Sequence, residues 1–366
     1  MKLSSIIGVD IGGTNIKAGR VSGESVLQKS LIPVKRKDPE QVVIEKLFNA
    51  IDKVFSSEVE AIVIGVPGVV APITGIVYDV QNIPSWVEIS LKRLVNEHYN
   101  VPVFINNDAN CFALGEKHFG NAKQFSNCVA ISMGTGLGMG VLIEDKLYNG
   151  VMCAAGEIGM LPYLNGIVED YTGSFFFETH FGQSAKTIFE KAIKNDSQAL
   201  EAFKVYGSHL GEAFKMILYM YAPEAIILGG SISKAFPFFE KSLNDSLGSF
   251  AYQKQIEHLK IIKSKMKCKQ GDYAHIIFSI RPENIGRVVK VAEYIGRFQQ
   301  GEQFQFRGMT CQCAVTDHYW WIEGDDITIQ FGPSPKAYIA DTWLEPIRPE
   351  EELTKETVKK ELDIMV

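Results

Sequence analysis

The chain has 366 residues, 46% of them hydrophobic and 22% charged, with a formal net charge of −6; this composition fits a globular protein with room for two or three domains. The acidic balance, without a basic tract to neutralise a run of phosphates, excludes a general nucleic-acid binder and leaves small molecules or proteins as partners. No apolar stretch approaches the roughly 20 residues of a membrane span, the N-terminus lacks the apolar region and cleavage site of a signal peptide, and six scattered cysteines make no disulfide framework, so a cytoplasmic protein is expected.

In chain order, Ile6, Ile7 and Val9 read as a short strand that ends on Asp10. Gly12 and Gly13 then let the backbone reverse into a second strand, Asn15 to Val21. Such a turn offers consecutive backbone N–H groups to an anion. Thr14 adds a hydroxyl and Lys17 a positive charge, and Asp10 can hold a phosphate-bound magnesium through water. A hairpin rather than a helix follows the glycines, so this is neither the GxxxxGKS/T loop nor the GxGxxG fingerprint; an ordinary Gly-Gly hairpin turn is the alternative. Ser25 to Val34 reads as a third strand, Pro39 to Phe55 as a helix with Val42, Val43, Leu47, Ile51 and Val54 at helical spacing, and Ala61 to Val66 as a buried strand. This is the start of an α/β layer with a mixed sheet. Pro67-Gly68 and Asn82-Ile83-Pro84-Ser85-Trp86 form loops, and a helix follows around Leu91 to His98.

The strand Val101 to Ile105 delivers Asn106-Asn107-Asp108-Ala109-Asn110 at its carboxyl end, with a helix from Ala109 to Phe119 beyond. Ligands of α/β sheets gather at strand ends, which makes Asp108 a candidate general base; the alternative is that Asp108 or Asn107 caps the helix. Val129 to Ser132, then Met133-Gly134-Thr135-Gly136-Leu137-Gly138-Met139-Gly140, then Val141 to Ile143 repeats the opening layout of strand, glycine turn and strand. Two such hairpins, each opening one half of the chain, suggest two related lobes closing on one polyphosphate. A long helical stretch, Gln198 to Tyr221, leads to the strand Ala225 to Leu228, whose terminal Gly229 and Gly230 would let a flat adenine ring lie close to backbone.

With these residues assembled, the pattern from about residue 5 to about 265 resembles the ROK family of sugar kinases and sugar-responsive repressors, within the actin, hexokinase and Hsp70 ATPase superfamily. The resemblance implies two ribonuclease H-like α/β lobes of the actin-like ATPase fold. Asp10, Gly12, Gly13, Thr14 and Lys17 would form the first phosphate loop, Gly134, Thr135, Gly136 and Gly138 the second, and Gly229 and Gly230 the adenosine motif. Asp108 would be the catalytic aspartate, and Asn82, Asn107, Glu157 and Glu169 would bind the sugar, Glu157 standing in Gly156-Glu157-Ile158-Gly159, which is similar to the family's GEIGH motif. Where that motif has its histidine this chain has Met160, and the CxCGxxGC cluster is absent, so no structural zinc is expected.

The family normally closes with an Ala/Gly-rich helix after a strand like Leu259 to Lys263, where this chain has the polar junction Lys265 to Gly271. Beyond it the sequence reads as a small α+β or β-rich module. It has a strand at Ile276 to Ile280, a helix at Pro282 to Tyr294, strands at Cys311 to Val315, His318 to Ile322 and Asp326 to Phe331, and a charged helix from Glu350 to Leu362. Cys311-Gln312-Cys313 has no second pair at ligand spacing and reads as two strand cysteines. The expected domains are therefore 1–120, 121–267 and 272–366. The expected activity is ATP- and magnesium-dependent phosphorylation of the hydroxymethyl group of a hexose or hexosamine derivative by a homodimer that binds neither nucleic acid nor membrane. The alternatives are a sugar-sensing regulator of the same family without turnover, repressors of this kind carrying a helix-turn-helix before DIGGT, and a non-enzymatic scaffold working through its C-terminal module.

Overall fold

The computed structural model describes residues 5–22, 25–80 and 82–264 and, beyond them, residues 273–276, 279, 284–285, 287–298, 303–306, 309–313, 317–329, 332–340 and 344–346. By contact density the chain forms two compact units, one of Met1–Ala185, Val205–Ser233 and Ser242–Ser264, the other of Lys186–Lys204, Lys234–Lys241 and Lys265–Val366.

The first unit opens with β1 (Ser5–Ile11), β2 (Asn15–Ser22), β3 (Ser25–Pro33), α1 (Glu40–Asp52) and β4 (Val59–Val66). A small sheet of β5 (Val69–Ala71), β6 (Ile76–Tyr78) and β7 (Glu88–Ile89) precedes α2 (Leu91–Tyr99), β8 (Val103–Asn107) and α3 (Asp108–Phe119). Strands β9 (Cys128–Met133), β10 (Leu137–Ile143) and β11 (Lys146–Leu147) follow, then the two-residue strands β12 (Pro162–Tyr163) and β13 (Gly166–Ile167) and helices α4 (Val168–Thr172) and α5 (Phe175–Phe181). Helices α6 (Ala185–Ile193) and α7 (Ser197–Tyr221), β14 (Ala225–Gly229), α8 (Phe236–Leu247), α9 (Gln253–His258) and β15 (Lys260–Lys263) complete this part of the chain.

Two five-stranded sheets result, ordered β3-β2-β1-β4-β8 and β11-β10-β9-β14-β15. In each, a hairpin strand pairs antiparallel with its successor on one side and parallel with a later strand on the other: β1 with β2 and β4, β9 with β10 and β14. The repeated strand-glycine-strand pattern is thus a repeated fold, the actin-like pairing of two ribonuclease H-like halves. Alternate residues of β1 are buried, and Ile7, Val9 and Ile11 pack with Val43, Leu47 and Ile51 of α1 and with the fully buried Trp86 in one apolar core, the period-two and period-3.6 faces meeting as their patterns require. Among the described residues no helix is long and apolar enough to cross a membrane.

In the second unit Phe203 stacks on Phe238 at 5.7 Å between ring centroids and Phe189 meets the same ring edge-on at 6.0 Å. The unit also holds β16 (Tyr273–Ile276), β17 (Val288–Phe298), β18 (Gln303–Phe306), β19 (Met309–Gln312), β20 (Asp317–Ile329), β21 (Gly332–Ala340) and β22 (Leu344–Pro346). Five of these make a sheet in the order β21-β20-β17-β16-β22, and β18 pairs with β19. The helix expected over Pro282 to Tyr294 is corrected here: Val288–Phe298 is a strand. Val288, Val289, Val291 and Ile295 are β-branched, and β20 supplies an antiparallel partner from Lys290 to Phe298. The two strands expected at His318 to Ile322 and Asp326 to Phe331 are one, β20, because the polar stretch between Glu323 and Ile327 is absorbed as a register irregularity rather than a turn. The expected helix Glu350 to Leu362 lies outside the described residues.

Candidate active site

All the site residues expected from the sequence fall in the first unit. Asp10 ends β1 opposite Lys17 in the ladder, and their side chains form an ion pair of 2.9 Å with both more than half exposed. So exposed a pair is held weakly, which leaves the ammonium and the carboxylate free for a ligand. The turn between them is closed by Gly12 N–H donating to the Asn15 carbonyl at 2.9 Å, and the Asn15 amide donates to the Thr14 hydroxyl at 3.1 Å. A Cβ on Gly13 would lie 2.6 Å from the Cβ of Asn82, so the second expected loop packs directly on the first. In the second hairpin the turn is closed by Gly134 N–H on the Gly136 carbonyl at 3.0 Å; above Gly134 the space is open, with no heavy atom within 4 Å of a Cβ built there. Gly230 has φ +82°, and its Cβ would strike Met133 O at 2.2 Å; only glycine supports that conformation at that approach.

Helix α3 gathers these parts. Its cap is Asn107, whose side-chain oxygen accepts from Ala109 N–H at 2.9 Å and Asn110 N–H at 3.3 Å while its amide donates to the Gly68 carbonyl at 3.3 Å. Asp108 is therefore the first helical residue and not the cap, a negative charge at the positive end of the helix dipole. One of its oxygens, Oδ1, accepts from Ala109 N–H at 2.8 Å, which leaves Oδ2 for chemistry. Further along, α3 is seated on glycines: Gly65 faces the Cα of Asp108, Gly138 the Cβ of Ala109, Gly140 the Cβ of Ala113, and Gly229 the ring of Phe112. Gly138, expected in the second phosphate loop, also lets α3 approach β10. Gly65, Phe112 and Gly140 were not singled out by sequence reasoning. The alternation of Gly138 and Gly140 along one strand was the signal available for the last.

Asn110, 1% exposed, ties α3 to the chain that follows β11. Its amide nitrogen donates to Asn106 Oδ1 at 3.1 Å and to the Cys153 carbonyl at 3.3 Å, and Asn106 in turn donates to Asn149 at 3.1 Å. From there Gly156, at φ +95°, lies so close to Met139 O that a Cβ would sit 2.1 Å away, and it delivers Glu157. Glu169 on α4 accepts from Leu137 N–H at 3.0 Å, leaving Oε1 for a hydroxyl.

The carboxylates sense one another. Burial pushes the pKa of Asp108 up, against the Ala109 N–H, and the charge of Asp10 adds to the rise. Glu157 is raised by burial and then by the charges of Asp108 and Glu169. Cys111, one helical turn from Asp108, is pushed up to about 12 by burial and by Asp108 and Asp10, so its thiol is held protonated and unreactive. Among the described residues no group of three or more His, Cys, Asp or Glu side chains is placed to hold a metal ion. Magnesium asks for less, one or two carboxylates with water and phosphate oxygens completing its shell, and the exposed Asp10 suits that demand.

Two equivalent sheets, each opening on a glycine hairpin, with a carboxylate-tipped helix seated against both, define an actin-like ATPase-fold protein. The chain belongs to the ROK family, whose family model matches residues 6–173 and 165–274. A glucokinase from Halalkalibacterium halodurans is 28% identical over 283 residues, covering 67% of this chain and 86% of that one. A xylose repressor from Bacillus subtilis is 31% identical over 242 residues, 62% of each chain. A ROK family glucokinase from Streptomyces griseus, solved in complex with glucose and AMPPNP, matches with a TM-score of 0.63 and 25% identity over 72% of this chain and 95% of that one. Glucokinases and xylose repressors both stand among its relatives.

Proposed function

We propose that the protein is an ATP-dependent sugar kinase acting on the hydroxymethyl group of a hexose or hexosamine derivative. The observation that carries this reading is Asp108: a carboxylate at the start of α3 with one oxygen anchored, the other unspent, and its pKa raised toward the range useful to a general base. Asp108 Oδ2 takes the hydroxyl proton. Asn82, Asn107, Glu157 and Glu169 orient the sugar. The backbone N–H groups of the two glycine turns, with Thr14, Thr135 and Lys17, hold the phosphates, and Gly229 and Gly230 give the adenine a flat floor. Magnesium, held through water by Asp10, would supply positive charge to the transferring phosphoryl group. With Met160 in place of a histidine and no cysteine between it and Glu169, the chain is proposed to hold no structural zinc. One tightly held zinc per chain, lost on substitution between Gly156 and Gly173, would overturn that.

A coupled ADP-release assay over a panel of hexoses and hexosamine derivatives tests the kinase reading. Turnover supports it. Sugar binding without ADP release selects the second reading, a sugar-responsive regulator, which the xylose repressor relative favours. The same assay run across pH carries a further expectation. Because the Asp108 pKa is raised from 3.8, kcat/KM should fall on acidification with a midpoint above that value, and a profile flat down to it would remove Asp108 from the role of base.

A further inference from the structure

We infer that Glu169 is a positioning residue for the second glycine turn, a strut whose carboxylate holds the nucleotide loop in shape while its free oxygen faces the sugar side; the inference rests on the kinase reading above. The carboxylate sits in a socket bounded by three glycines, the closest of them Gly136. A Cβ on Gly136 would lie 2.0 Å from Oε2, one on Gly159 3.3 Å from the same oxygen, and one on Gly173 3.4 Å from Cγ. Into that socket Leu137, the first residue of β10, donates its N–H at 3.0 Å. The contact is returned from the other end of α4, where Gly173 N–H donates to the Glu169 carbonyl at 2.7 Å and Ser174 N–H reaches the carbonyls of Gly134 and Thr135 at 3.0 and 3.1 Å.

The glycine turn is therefore stitched to α4 at both edges. Its Gly134 and Thr135 carbonyls are drawn toward α4, which turns the N–H groups between them the other way, toward a phosphate. A sugar hydroxyl bound to Oε1 would pull on the carboxylate that fixes the loop, so the two substrates meet through one side chain. Contact with a sugar alone would give Glu169 no influence on nucleotide binding in the absence of sugar; a strut does.

The test is titration of AMPPNP and magnesium into sugar-free protein, followed calorimetrically, for the parent, Glu169→Ala, Gly136→Ala and the double variant. Loss of the strut and intrusion of a Cβ into its socket should each weaken AMPPNP by about tenfold or more, the scale of one hydrogen bond to a charged group. In the double variant the socket is empty, so adding Gly136→Ala to Glu169→Ala should cost less than about threefold, a non-additivity that marks direct contact. Should alanine at 169 unfold the chain, Glu169→Gln keeps the length and one oxygen to accept from Leu137, and is expected to bind AMPPNP within about threefold of the parent; a tenfold loss there overturns the strut. Parent-like affinity in Glu169→Ala, or an equal effect of Gly136→Ala in both backgrounds, also overturns it while leaving the kinase reading intact. A parent that binds no AMPPNP at all removes the nucleotide loop, and both readings fall together.

Discussion

Asp108→Asn is expected to lower turnover by about two to four orders of magnitude, the usual weight of general-base catalysis, while leaving the fold and sugar affinity nearly as they were. The geometry makes this substitution unusually clean. Asn107 caps α3 through its own side chain, so the cap keeps its acceptor when residue 108 is changed. The bond from Ala109 N–H to Oδ1 survives, since the asparagine carbonyl accepts as the carboxylate does. What disappears is the second oxygen, replaced by an amide that donates and cannot take a proton.

The stability outcome follows from the same pKa. Folding raises the Asp108 pKa above 3.8, chiefly by burial. Between 3.8 and the raised value the native state binds more protons than the unfolded state, so ionisation of Asp108 costs stability as pH rises through that window. The asparagine variant should therefore unfold at or above the parent midpoint at neutral pH and lose that part of the pH dependence. Steady-state rates and thermal unfolding of both proteins across pH check the two halves. A rate within a few-fold of the parent would move the weight to the regulator reading.

The second large effect is expected at a residue that touches neither substrate. Gly140→Ala should destabilise the protein by about 1–3 kcal/mol, the cost of overpacking, and cut turnover by about a hundredfold, the cost of a reacting group misplaced by an ångström. The added Cβ would meet Ala113 Cβ at 2.5 Å and Ala109 O at 2.6 Å. One of these is helix backbone, which yields only if α3 moves, and α3 carries Asp108 at its tip. Gly115→Ala is the control on the same helix: its Cβ meets nothing within 4 Å, and it should stabilise by about 0.5–1 kcal/mol through helix propensity alone. Denaturant midpoints and kcat for the two variants separate steric displacement of the helix from a general intolerance of substitution. Gly140→Ala with parent midpoint and parent rate would show that α3 adapts without moving its carboxylate.

Much of this protein is written locally. Asp10-Ile11-Gly12-Gly13-Thr14 and Met133-Gly134-Thr135-Gly136 are hairpin turns because glycines sit between apolar strands within a few residues, and α1 follows from the helical spacing of its buried Val43, Leu47 and Ile51. The position of Asp108 where strand gives way to helix is likewise a local fact. Local chemistry misled where the partner decided. Val288–Phe298 became a strand because β20 pairs with it; between Asn107 and Asp108, both open as caps in the sequence, the cap is the residue whose side chain turns back over the first turn. Glu169 and Leu137 stand 32 residues apart, and Gly229 meets Phe112 from far along the chain. The use of a glycine as a socket for a carboxylate or a floor for a helix depends on which distant atom arrives above it. Residue spacing encodes turns and faces, because those are set by backbone torsions a few residues long. Only the packed sheets and α3 determined which glycine must stay bare, since that is settled by close contact between segments whose separation along the chain carries no sign of it.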